Sequence, residues 1–169
     1  MHGSDELDDA ALLDGFERHT LPREAWTHRA HVRVAMLHVR RLGFDAALER
    51  MRARIQAFNH AKGITDSLTT GYHETLTVAW LRVVAAAVAA AAAEPPADSI
   101  EFCDRNPDLL DKTLLRRYYT RERMLTEDAK RAFVEPDLEP LPEPSGRRGS
   151  RAGGWQKIVA PRDSPGGSP

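Results

Sequence analysis

Cysteine is almost missing from this chain: Cys103 is the only one in 169 residues. No intramolecular disulfide can form, so oxidising export is not implied. Long apolar runs are missing too. The most apolar stretch, Val83 to Ala93, is short, mostly alanine and preceded by Arg82, so it falls short of a bilayer span. Met1 to Asp9 is acidic and has no apolar centre, which is unlike a secretory signal. A surplus of charge is missing as well. The formal net charge is −1, so no global field favours nucleic acid or an anionic membrane. There is no strand-like alternation, no internal repeat, no glycine-rich phosphate loop and no G-x-S-x-G elbow. What these absences leave is a cytoplasmic, soluble protein with no nucleic-acid or membrane partner expected of its domain.

The chain does carry 41% hydrophobic and 29% charged residues, an ordinary globular balance with length enough for one cored domain. Its periodicity is helical. Ser4 or Asp5 caps a first helix running to about Arg18, and Thr20-Leu21-Pro22 ends it. A second helix runs from about Trp26 to Leu42, with Gly43 as its terminator. Phe44, Ala47, Leu48, Met51, Ile55 and Phe58 mark a third helix to Ala61, with Glu49, Arg50, Arg52 and Arg54 facing away. A fourth runs from about Tyr72 to Ala93 and buries Leu76, Trp80, Val83, Val84 and Val88. After a short piece near Ser99 to Cys103, Asn106-Pro107 reads as the start of a fifth helix to about Tyr119. Thr120 and Thr126 look like caps of short helical segments. The expected fold is all-α: a compact bundle of four to five helices over residues 5–142, then a disordered Gly/Ser/Arg/Pro-rich tail over 143–169. The tail's basic centre (Arg147, Arg148, Arg151 and Lys157) is read as solvated.

Short connections make successive helices antiparallel neighbours. Helices two and four then run the same way, and their N-terminal ends meet. His28 and His31 open helix two; His73 and Glu74 open helix four. Residues three apart share a helix face, so the rings of His28 and His31 can reach one ion, with His73 as third ligand. Three protein ligands with an open position suit catalytic zinc, and two His with a carboxylate suit non-haem iron. Adjacent helical residues diverge by about 100°. One of His73 and Glu74 is therefore better placed to stand behind the ion or act as general base than to ligate it, and Glu74 is assigned as general base or, failing that, fourth ligand. A helix N-terminus disfavours imidazolium, which suits a ligand histidine. Thr27 and Thr77 are candidates to orient the rings, and Trp26, Tyr72 and Trp80 to wall a pocket. Of the other histidines in a set of seven, His2 is terminal, His38 reads as a helix-face residue and His60 lies toward the far end. Cys103 reads as a buried structural thiol.

Phe16-Glu17, Thr20-Leu21-Pro22, Trp26-Thr27-His28-x-x-His31, Gly71-Tyr72-His73-Glu74-Thr75 and the Phe133 to Pro142 segment resemble a family of small, uncharacterised bacterial proteins. The resemblance covers roughly Leu12 to Pro142. It implies that those residues form one module, with the tail outside it, and it carries no activity or substrate.

The leading expectation is a metal-dependent enzyme acting on a small-molecule substrate. A divalent ion (zinc, iron(II) or copper) would be held by His28, His31 and His73, with Glu74 and Tyr72 as catalytic residues. Zinc would favour hydrolysis, and iron or copper would favour oxygen chemistry. Two alternatives stand beside it. One is a non-catalytic helical interaction module whose histidines are structural. The other is a metal-free acid–base site pairing His28 or His31 with Glu74.

Overall fold

The computed structural model describes residues 6–144. They form seven α-helices and no strand: α1 (Asp9–Glu17), α2 (His28–Leu42), α3 (Phe44–Ala61), α4 (Glu74–Ala90), α5 (Ser99–Arg105), α6 (Arg121–Met124) and α7 (Glu127–Arg131). Three 3-10 turns, Arg23–Ala25, Pro107–Leu110 and Leu114–Arg117, join them. The tail expected from residue 143 lies, but for its first two residues, outside the described residues, as does His2. No described helix is long and apolar enough to cross a membrane.

Side-chain caps set most of the helix starts. Asp8 Oδ1 accepts from the Ala11 N–H at 2.7 Å, Thr27 Oγ1 from Ala30 at 3.2 Å, and Asp98 Oδ1 from Glu101 at 2.8 Å. A single residue, Gly43, separates α2 from α3. Its φ of 77° lies where a Cβ is disfavoured, and that reversal folds α3 back along α2.

The bundle is organised around α2. It packs against α1, α3, α4 and α5, and its middle is buried nearly all round: Val32, Arg33, Val34, Ala35, Met36 and His38. Two polar residues are accommodated because each meets a partner. Arg33, fully buried, donates to Ser99 Oγ, the Leu7 carbonyl and Asp9. His38 lies against the Val34 carbonyl and Glu17 Oε1 at 3.0 and 2.9 Å. α2 and α4 run in the same direction. His28 touches Trp80 near their starts, while Val39 and Arg40 share a groove with Val88 and Ala89 near their ends. This is the arrangement expected from the short connections.

Two local expectations change. The charges of α3 do not all face water. Arg50 and Arg54 both bind Glu17 of α1, and Arg52 reaches Glu74 of α4. The fifth helix expected from Pro107 to Tyr119 is broken. Asp111 is extended, with φ −77° and ψ 108°, and its Oδ1 accepts from both the N–H and the hydroxyl of Thr113 at 2.8 Å. An aspartate that bonds its own backbone two residues on competes with the helix ladder, leaving two 3-10 turns instead.

The C-terminal segment straps back across the bundle. Thr75 Oγ1, fully buried on α4, donates to the Ala129 carbonyl at 2.6 Å and accepts from Val134 N–H at 3.2 Å. The Tyr119 hydroxyl donates to the Val134 carbonyl at 2.9 Å, and Leu141 is buried at the end of the strap.

Candidate functional site

His28 and His31 occupy the first turn of α2, which Thr27 caps. Each ring is fixed by a backbone carbonyl. His28 Nε2 lies 2.9 Å from the Leu109 carbonyl, and His31 Nδ1 lies 2.7 Å from the Thr27 carbonyl. A carbonyl only accepts, so each of these nitrogens carries the proton. The opposite nitrogens, His28 Nδ1 and His31 Nε2, are therefore lone-pair acceptors, and neither has a hydrogen-bond partner among the described residues.

Both rings line one small cavity of about 60 Å³, with Met51 of α3 and Thr77, Trp80 and Leu81 of α4. The volume suits an ion with one or two waters rather than a substrate. Aromatic faces hold the rings. Trp26 lies against His31 with centroids 3.8 Å apart and continues onto Phe16 at 4.5 Å, and the His28 ring meets Trp80 edge-on at 4.5 Å. Burial pushes both imidazoles below their ordinary range, His31 to about 4, against the pull of the two carbonyls. The ammonium of Lys112 works in the same direction on both. Both rings are neutral at pH 7, the state a metal needs.

His73 does not join them. It is the N-cap of α4: its Nδ1 accepts from the Leu76 N–H at 3.3 Å, and its Nε2 faces the Met124 carbonyl at 3.2 Å. Both nitrogens are used, so the third ligand expected here is a cap and a tie to α6. Among the described residues no three His, Cys, Asp or Glu side chains are grouped to hold one ion.

Glu74 lies one residue on and turns away from the two rings. It is buried and bound by Arg52 through both carboxylate oxygens, and the Tyr72 hydroxyl donates to its Oε2 at 2.5 Å. Burial, and then this bond, hold the Tyr72 phenol protonated well above its usual range. Tyr72 and Glu74 line a separate polar cleft of about 470 Å³ with Lys130, Asp66 and Ser67. Lys130 builds that wall, donating to the Thr70 and Tyr72 carbonyls at 2.9 and 2.5 Å and pairing with Asp66. Thr77 belongs to the histidine cavity, although its hydroxyl donates back to the His73 carbonyl at 2.9 Å.

Sequence reasoning brought His28, His31, Thr77 and Trp80 together. It expected Thr27 to orient a ring, which Thr27 does through its carbonyl, but it missed the Leu109 carbonyl, because a backbone carbonyl leaves no mark in the sequence. It also missed Arg52 as the partner of Glu74. A clue was available in the i, i+3 spacing from Glu49, which binds the same guanidinium. No family model, no curated protein and no solved structure matches this chain. Function therefore has to be argued from these side chains.

Proposed function

We propose that the protein is a cytoplasmic, metal-dependent enzyme acting on a small molecule, with its ion held by Nδ1 of His28 and Nε2 of His31. One observation supports this above the others: two neutral imidazoles line one cavity, each with one nitrogen fixed by a backbone carbonyl and the other left without a hydrogen-bond partner among the described residues. Metal-ligating histidines are oriented this way, by a hydrogen bond from the ring nitrogen that does not ligate. Two protein ligands leave coordination positions open, and the cavity has room to fill them with one or two waters. Zinc there would acidify a bound water for hydrolysis, and iron or copper would take up oxygen. Glu74, ion-paired to Arg52, would serve the neighbouring polar cleft as a fixed carboxylate rather than as a ligand.

The competing reading is a helical interaction module with structural histidines. It draws support from His73, which caps a helix, and from His38, which is bound on both sides. Metal analysis separates the two. The purified, untagged protein is loaded with zinc, iron(II) or copper(I), dialysed and assayed for metal. It is compared with His28→Ala/His31→Ala and with His73→Asn, which keeps a capping side chain. The proposal expects near-stoichiometric metal in the parent and in His73→Asn, and loss from the double variant. No retained metal in the parent, or equal retention in the double variant, would sink it.

A further inference from the structure

A third cavity, distinct from the histidine site and from the polar cleft, opens beside α6. It is a groove of about 820 Å³ between the start of α4, the turn Leu114–Arg117 and α6. That volume lies in the range of small-molecule clefts. Its chemistry divides into two parts.

One part is cationic. Lys112, Arg116 and Arg121 line the groove, with Glu122 as its one acidic residue. None of the three cations has a salt bridge or hydrogen-bond partner among the described residues. Arg116 comes nearest, its charge being felt by Asp111 across the turn. Among the other described residues most arginines are paired, for example Arg29 with Asp104, Arg50 with Glu17, and Arg117 with Glu139. Three unpaired cations around one concavity focus a positive potential there.

The other part is apolar. Leu115 and Tyr119 form a buried floor. Leu125 and Leu138, 36% and 54% exposed, form the rim and are two of only four large hydrophobic residues exposed among those described. The rim is held rather than loose. Leu138 N–H donates to the Tyr118 carbonyl at 3.0 Å, and Asp137 accepts from the Thr120 N–H at 2.9 Å and from its hydroxyl at 2.5 Å.

We infer that this groove binds a small amphipathic anion, its carboxylate or phosphate head among Lys112, Arg116 and Arg121 and its apolar body on Leu115, Tyr119, Leu125 and Leu138. The inference goes beyond the metal reading and stands without it. Charge complementarity selects the head, and the exposed leucines select the body.

The test uses the full chain, freed of metal with chelator, so its outcome is independent of whether an ion binds. Octanoate, octyl phosphate, octanol and octylammonium are titrated by calorimetry at low and at moderate salt. Methyl NMR of the leucines locates the site. Saturable binding of octanoate or octyl phosphate is expected, at least tenfold tighter than octanol, with octylammonium excluded and with Leu125 and Leu138 methyls shifting. Whichever anion binds more tightly identifies the head group. Arg116→Gln/Arg121→Gln, both at the surface, should weaken the anions at least tenfold and leave octanol unchanged. Octanol binding as tightly as both anions, no saturable binding of either anion, or anion binding unaffected in the double variant would each overturn the inference.

Discussion

The neutrality of His31 can be tested through stability, because a ring that resists protonation in the folded protein links folding to pH. Its folded pKa is about 4, against an ordinary 6.5 for a free imidazole. A group with a depressed cationic pKa stays neutral in the fold and takes up its proton in the unfolded chain. The stability it contributes is therefore complete above 6.5 and is lost progressively as pH falls toward 4. At pH 5 the unfolded chain is almost fully protonated at this site and the folded chain scarcely at all, a difference of about 2 kcal/mol. Part of the His31 surface remains exposed, so this is a ceiling. His28, shifted in the same direction, adds to it. The perturbation is His31→Gln, which cannot titrate but retains a donor for the Thr27 carbonyl. Urea unfolding of metal-free protein at pH 8 and pH 5, followed by circular dichroism, gives the difference for parent and variant. The parent should lose about 1–2 kcal/mol more than the variant across that interval. Equal losses in the two proteins would mean that His31 protonates freely in the fold, and the reasoning would fail.

Other perturbations probe the surroundings. Glu74→Gln removes the charge that Arg52 and Tyr72 both bind; it should cost about 1–3 kcal/mol in urea unfolding while leaving metal content unchanged. Thr75→Val keeps the shape but deletes the bonds to Ala129 and Val134. A loss of about 1–3 kcal/mol is expected, together with faster amide exchange at Val134. Gly43→Ala forces a Cβ onto a φ of 77° and ψ of 170°, a region almost confined to glycine, with nothing nearby to clash, so the cost should be conformational alone, about 1–3 kcal/mol by thermal or urea unfolding.

Much of the fold was legible because it rests on local rules. The caps at Thr120 and Thr126, the reversal at Gly43 and the spacing of Phe44, Met51 and Phe58 all stand as read. The shared direction of α2 and α4 followed from short connections. Where the reading went astray, a long-range partner decided the outcome. His38, read as a helix-face residue, is buried because Glu17 comes to meet it, and Arg33 is buried against Asp9 and Ser99. His73 reads as a third ligand because the starts of helices two and four meet, but the Leu76 N–H and the Met124 carbonyl engage both of its nitrogens. A histidine at a helix start has two uses, capping and ligation, and only the neighbouring backbone chooses between them.

The most direct test of the central claim is long-range proton–nitrogen NMR of the imidazoles at pH 7.5, before and during zinc titration. The account predicts His28 with its proton on Nε2 and His31 with its proton on Nδ1. Zinc should shift His28 Nδ1 and His31 Nε2 and leave the His73 nitrogens in place. The opposite tautomers, or zinc acting on His73 in preference to the other two, would contradict it.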